Sequence, residues 1–404
     1  MKTMTSLSEI FRIGRGPSSS HTMGPEKACR YIMEKYPDAD SVTVTLLGSL
    51  AKTGKGHRTD YAIEQTLGGI PCTILFDSSD IELPHPNTME FRVFRSGAEI
   101  GRETVLSIGG GAIQVVGEDV SSLPQIYSLS TFSGIASFCE TEHISLSGYV
   151  FRCEPEIRAH LLNAWRQMQE TIEAGLSACG ELPGGLHVKR RAAELGEYGR
   201  RERDLVKKER FLISAFAYAS SEENAAGGKM VTAPTCGACG VLPAVLYYEK
   251  QLFVCSDDEI ADALAVAGII GQIIKTNASV SGAEAGCQAE IGSACSMASA
   301  ALCSLRGFGL AQIECAAELA MEHCLGLTCD PVNGLVQIPC IERNAVGALR
   351  SYDAAALSEI IYDSRKVSFD DIVRTMYQTG KDLSRCYRET AEGGLAKTYT
   401  NKNV

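Results

Sequence analysis

The spacing of apolar residues changes once along this chain. Before about residue 110 it follows a period of two. Residues 41–47, SVTVTLL, alternate β-branched and polar positions and predict a strand with one buried face. Residues 72–76, 89–94 and 104–108 predict further short strands, the last running into Gly109-Gly110-Gly111, where a tight turn or a close backbone approach is expected. A Gly/Ser-rich loop, GRGPSSSHTMGP over 14–25, opens a helix at Pro25 that runs to about Lys35, since proline is favoured in a first helical turn. A second Gly-rich loop, GSLAKTGKGHRTD over 48–60, leads into a helix through Thr66.

From Glu156 the period becomes three to four. Ile157, Leu161, Trp165, Met168 and Ile172 fall on one helical face. Helices are expected over about 211–219, 242–248, 257–274, 289–305, 312–324 and 341–350, with almost no alternating strand between them. Ser256 and Glu259 form a capping box ahead of the third. Small residues over 293–301 suit close helix packing, and the Lys/Arg-rich stretch 187–210 reads as a solvated helix or loop. The expected class is α+β: an α/β domain over 1–152, then a mostly α-helical domain over 165–404, with the boundary inside the helix that begins near 156.

Composition narrows the function. The 404 residues are ordinary for a globular chain, at 45% hydrophobic and 22% charged, and long enough for two domains. A net charge of −11 argues against nucleic acid and against an anionic membrane surface. The start, MKTMTSLSEIFRIGRG, lacks the apolar core of a signal peptide, and the most apolar helical stretch is too short to span a bilayer. A cytoplasmic setting is expected. There the sixteen cysteines should be thiols, most of them small buried hydrophobes; Cys295, Cys303 and Cys315 fit that description. Cys236 and Cys239 have a C-x₂-C spacing without a second pair to complete a zinc site.

Several stretches could carry chemistry. Cys287, Cys329 and Cys340 lie beside turn-making residues (Gly286, Asp330-Pro331 and Pro339), where a thiol can be aimed rather than packed. Thiolates converging from separate segments suit an iron–sulfur cluster, although spacings of 42 and 11 residues are wide for one. Ser18, Ser19, Ser20, His21 and Thr22 put hydroxyls and free amides ahead of a helix, which suits a carboxylate or merely an N-cap. His57, in the loop with Lys55, has a side chain whose pKa suits a general base, or it is simply exposed; His323 has the same ambiguity. The Gly-rich run from Glu223 and Asn224 to Thr235 could hold an amino or carboxylate group, or be a structural turn.

Taken together these segments resemble the iron–sulfur-dependent L-serine dehydratases (L-serine ammonia-lyases). GPSSSHTMGPEKA, GSLAKTGKGHRTD and SIGGGAI resemble that family's β-domain. LPGGLHVKRRA, ENAAGGKMVTAPTCGACGVLPAVL, SGAEAGCQAEIGSACSMA, MEHCLGLTCDPVNGLVQIPCIERNA and YRETAEGGLA resemble its α-domain. The resemblance implies a [4Fe-4S] cluster on Cys287, Cys329 and Cys340 with its fourth iron open to substrate, and often a homodimer. It implies conversion of L-serine to pyruvate and ammonia, with His57 as the expected base and Ser18–Thr22, Lys55, Asn224 and Thr235 around the substrate. No pyridoxal phosphate is expected. Three departures stand out. Cys236 and Cys324 occupy positions where the family usually has Asn, which keeps L-threonine or L-cysteine as alternative substrates. The chain ends TYTNKNV rather than in a cysteine that could fold back on the cluster. The stretch between about 75 and 89 is shorter than in some relatives. A non-catalytic cluster-based sensor is the rival from another class.

Overall fold

The computed structural model describes residues 2–79, 81–118 and 124–402. The class is α+β: a sheet built from strands between 41 and 115, then a helical region. In chain order the first part holds β1 (Ile13–Arg15), α1 (Gly24–Lys35), β2 (Ser41–Leu47), α2 (Ser49–Thr53), α3 (Thr59–Leu67), β3 (Cys72–Asp77), β4 (Thr88–Arg95), β5 (Ala98–Ser107) and β6 (Ile113–Val115). The second holds α4 (Phe132–Glu142), α5 (Leu146–Cys153), α6 (Ile157–Ser177), α7 (Ala192–Arg201), α8 (Leu205–Ala225), β7 (Lys229–Val231), α9 (Val241–Phe253), α10 (Asp257–Asn277), α11 (Gly282–Ala285), α12 (Ser293–Leu305), α13 (Leu310–Glu322), α14 (Cys340–Ile361), α15 (Phe369–Asp382) and α16 (Gly394–Lys402).

The five-stranded sheet runs β3-β2-β4-β5-β6, with β2 and β3 parallel and the other neighbours antiparallel. The alternation in β2 does what its sequence predicts. Val42, Val44 and Leu46 are buried against Ala28, Cys29 and Ile32 of α1 and Ile63 and Leu67 of α3. β5 is longer than the run 104–108 suggests. Its first half carries Gly101, Arg102 and Glu103, so no apolar alternation marks it, and Gly101 is where the ring of Tyr36 lies on the strand.

In the second part α10 is buried over most of its length, from Ile260 to Ile274, so it is a core helix around which α5, α6 and α12 pack. No described helix is long and apolar enough to cross a membrane. The N-terminal segment joins this core: Met4, Leu7, Ile10 and Phe11 are fully buried in it. β1 then pairs antiparallel with β7, Ile13 opposite Val231, so the start of the chain is tied to the helical region before it enters the sheet. α8 starts earlier than residue 211 because Asp204 caps it by accepting from Val206 and Lys207 N–H, and its first turns are too charged to show a periodic face.

α6 and α8 approach closely at Gly175, where an added Cβ would sit 2.2 Å from the carbonyl oxygen of Ala219. Gly175→Ala must push two helix backbones apart. A loss of about 1–3 kcal/mol is expected in chemical denaturation, and an unchanged midpoint would contradict this packing.

Candidate active site

Two irregular turns and one extended strap meet between the sheet and the helical region. The first turn is residues Ser19–Met23, wound as a π-type turn ahead of α1. Ser18 caps it, its Oγ accepting from His21 N–H at 3.1 Å. Thr22 N–H and Met23 N–H both donate to Ser18 C=O. The amides of Ser19 and Ser20 precede any intrahelical acceptor, so they remain available to an anion. All five residues from Ser18 to Thr22 are buried.

His21 and His57 stack with ring centroids 4.4 Å apart. Their tautomers follow from their neighbours. Ser49 Oγ donates to Glu389 C=O (2.5 Å), and Thr53 Oγ1 donates to Ser49 C=O (2.9 Å). Each hydroxyl has one proton, so each must accept from His21 Nε2, at 3.2 and 3.0 Å. His21 Nδ1 is then a lone pair, which Ser20 Oγ meets at 2.9 Å. His57 Nδ1 lies 2.8 Å from Thr53 C=O and must donate to it, which leaves Nε2 as a lone pair. Both lone pairs face one oxygen, Glu389 Oε1, at 3.5 Å from His21 and 3.7 Å from His57. Burial pushes His57 down to about 4 and His21 well below its ordinary value, so both rings are neutral bases.

The second turn is residues Gln288–Gly292, also π-type, with Cys287 at its head. Cys329 lies in the strand-like segment after α13, where its N–H donates to Tyr387 C=O and its C=O accepts from Glu389 N–H. Cys340 opens α14 directly after Pro339. Cys329 feels the charge of Cys287 and Cys340, and Cys340 that of Cys287. Burial pushes Cys287 up to about 12 and Cys329 and Cys340 well above the ordinary thiol range. Glu290 sits among them, Oε1 accepting from Thr235 Oγ1 at 2.9 Å and Oε2 lying 3.7 Å from Cys329 Sγ. Burial pushes Glu290 up as well. Gly282 is required here, because a Cβ would lie 2.6 Å from Glu290 Oε2 and 3.0 Å from Cys329 Sγ. Glu389 is fully enclosed and raised well above the carboxylate range by burial and then by Glu290. Its Oε2 makes no well-formed hydrogen bond, although the Ala283 amide acts to lower it.

Three thiols and two carboxylates are thus enclosed together, opposed by the guanidinium of Arg343 near Cys287. Such a set calls for a polycation, and soft thiolates select iron or iron–sulfur centres. Among the described residues, the group close enough to grip one ion is His21, His57 and Glu389, with ligand atoms within 4.8 Å of one another. The three sulfurs are spread more widely than that, as a body larger than a single ion requires. The donor set therefore fits a [4Fe-4S] cluster.

The residues singled out in the sequence divide into three groups. Ser18, Ser19, Ser20, His21, Thr22 and His57 come together, and Thr235 reaches the cysteine group through Glu290. Thr22 Oγ1 donates to His57 C=O and links the two loops. Asn224 is buried but works on the backbone, donating to Pro17 C=O at 2.8 Å. Lys55 is exposed, its ammonium over the Phe76 ring. His323 is exposed. Cys236 turns away into a small cluster, 3.5 Å from Met23 Sδ and 3.6 Å from Met230 Sδ. Cys324 is paired with Cys295 by a side-chain hydrogen bond. Cys295, Cys303 and Cys315 are fully buried, as expected of small hydrophobes. The sequence reading missed Glu290, Glu389, Ser49, Thr53 and Arg343. Glu290 carried a usable signal, as a lone carboxylate among the small residues of AGCQAEIGSACS. A cavity of about 180 Å³ is lined by Ser49, Ala283 and Thr390, with Arg385 and Arg388 in its wall.

The description "serine dehydratase alpha chain" matches residues 44–396, and "serine dehydratase beta chain" matches residues 6–74. The chain is 41% identical to L-serine dehydratase 2 of Escherichia coli (strain K12), over 97% of this chain and 98% of that protein. It is 41% identical to the L-serine dehydratase of Streptomyces coelicolor, with the same coverage of each, and 38% identical to that of Helicobacter pylori (strain 26695).

The imidazole pair has a pH consequence. The unfolded chain protonates a histidine near 6.5, whereas folded His57 resists protonation until about 4. Stability is therefore present above 6.5 and lost as the pH falls towards 4. For His57 alone the gap corresponds to about 3 kcal/mol. Denaturation of the wild type and of His57→Gln between these pH values should show a shallower loss in the variant; equal slopes would contradict a buried neutral His57.

Proposed function

Because the chain belongs to the serine dehydratase family, with its β- and α-chain regions in one polypeptide, we propose that it removes water from L-serine and yields pyruvate and ammonia. One observation carries this reading: three enclosed thiols stand next to a neutral, correctly oriented imidazole and an anion-accepting turn. In this reading Cys287, Cys329 and Cys340 hold a [4Fe-4S] cluster, which when bound supplies an open iron as Lewis acid for the substrate β-hydroxyl.

The protein's own groups do the rest. Ser19 and Ser20 N–H, with the hydroxyl of Ser18, receive the substrate carboxylate. His57 Nε2 takes the Cα proton. Its basicity is set by enclosure, and its aim by the Nδ1–H bond to Thr53 C=O, which prevents the ring from turning over. His21, held by Ser49 and Thr53, backs the His57 ring through the stack and keeps water from its face. Loss of the Cα proton and the β-hydroxyl gives aminoacrylate, which tautomerises to the imine and hydrolyses to pyruvate and ammonia. Cys236 is sealed between methionines, so its presence in place of an amide is no reason to assign L-threonine or L-cysteine as substrate.

Two measurements test this. Protein purified without oxygen should form pyruvate from L-serine, change its visible spectrum when L-serine is added, and lose activity in step with its cluster absorbance in air. Activity that outlasts the cluster would sink the reading. Cys329→Ser should abolish cluster binding and lower kcat by at least about 100-fold, whereas Cys236→Ala should keep kcat/KM for L-serine within about threefold of wild type; the reverse order would reassign the ligands.

A further inference from the structure

The substrate proposed above is a zwitterion. Its carboxylate has the 18–22 turn and its Cα hydrogen has His57, but its α-ammonium has as yet no partner. The enclosed site offers two carboxylates. Glu290 Oε1 accepts from Thr235 Oγ1 and its Oε2 lies against Cys329 Sγ, so this carboxylate stands on the side of the thiols. Glu389 is committed at one oxygen: Oε1 faces the imidazole lone pairs, while Oε2 is buried without a well-formed hydrogen bond. A buried carboxylate oxygen left open is costly unless a ligand completes it.

We propose that Glu389 Oε2 binds the α-ammonium of the substrate and is what selects amino acids over their deaminated analogues. The inference rests on the serine reading. The geometry agrees with the bonding of the substrate. In an amino acid the ammonium nitrogen and the α-hydrogen are both bonded to Cα. In the site, Glu389 Oε1, which shares its carbon with Oε2, lies 3.7 Å from His57 Nε2. A nitrogen on the carboxylate therefore brings Cα to the base. The carboxylate itself is rigidly placed. Ser49 Oγ donates to Glu389 C=O, Glu389 N–H donates to Cys329 C=O, and Glu389 has a φ of +56°. Side chains seldom adopt that backbone conformation, and here packing on both sides imposes it. An ammonium brings the positive charge that this enclosure lacks. A 2-unsubstituted acid would leave the oxygen unpaired, and that penalty is the source of discrimination.

The test compares L-alanine, which carries the ammonium but no β-hydroxyl, with propionate, which lacks both. Inhibition constants for each, with kcat and KM for L-serine, are measured on the cluster-loaded full chain for wild type, Glu389→Gln and Glu389→Asp. Cluster absorbance and metal content are recorded alongside. Glu389→Gln should raise KM for L-serine and the L-alanine constant about 10- to 100-fold, the loss of one charge-assisted hydrogen bond. The propionate constant should stay within about threefold, and Glu389→Asp should fall between. Equal weakening of both inhibitors would overturn the assignment. So would a fall in kcat at unchanged KM, which would make Glu389 a support for His57 alone. A divalent ion beyond the cluster iron that is lost in Glu389→Gln would overturn it too, by giving the carboxylate to a metal. If Glu389→Gln does not keep its cluster, the ratio of the two constants in Glu389→Asp decides, and an unchanged ratio overturns the proposal. Wild type that turns over no L-serine would sink the functional reading instead. Its preference for L-alanine over propionate would still report on Glu389.

Discussion

Enclosing five acidic groups with little counter-charge beyond the Arg343 guanidinium is the constraint on which this structure turns. Cys287, Cys329 and Glu389 are buried and Cys340 and Glu290 are partly so, and burial is the first cause of the upward shift in every one. In water each would ionise in its own range. Here none can do so cheaply until positive charge arrives. The same enclosure has the opposite effect on His21 and His57, holding them neutral. One largely buried volume thus holds both thiol and carboxyl donors suited to a cationic centre and imidazoles that stay unprotonated.

The fold serves that volume by bringing distant segments to it on short, irregular pieces. Two π-type turns, at Ser19–Met23 and Gln288–Gly292, carry the hydroxyl loop and the first thiol. Such turns occur often at functional positions because they aim groups that a regular helix would direct elsewhere. The regular elements hold these pieces in place. β1 pairs with β7, Asn224 at the end of α8 fixes Pro17, and Asp330, which accepts from Leu395 N–H, joins the Cys329 segment to the start of α16.

Much of this was legible in the sequence because it depended on period. The β2 alternation, the face of α6 and the apolar middle of α10 each name their environment directly. The aimed cysteines were legible through the turn-formers next to them. What escaped depended on partners far away in the chain. Lys55 and His57 share one Gly-rich loop, yet one faces solvent and the other the interior. Nothing local separates them; the stack on His21 does. Asn224 also holds Pro17 C=O through its Nδ2, a role that a polar residue beside glycines does not distinguish from ligand binding. Glu389 gave no signal, since its meaning comes from His21 and His57 more than 300 residues earlier.

The strap that carries Glu389 also fixes when this site can exist. The hydroxyl turn begins at Ser18, and the carboxylate facing its histidine is at 389, so the two are separated by most of the chain. During synthesis, which proceeds from the N-terminal end, the sheet can complete its own core long before the second half emerges. The acidic enclosure cannot close until the strap has left the ribosome and laid itself along Cys329. Its thiols, at positions 287 to 340, emerge late and stay uncovered until the strap docks, and that interval is when a metal centre would have free passage to them.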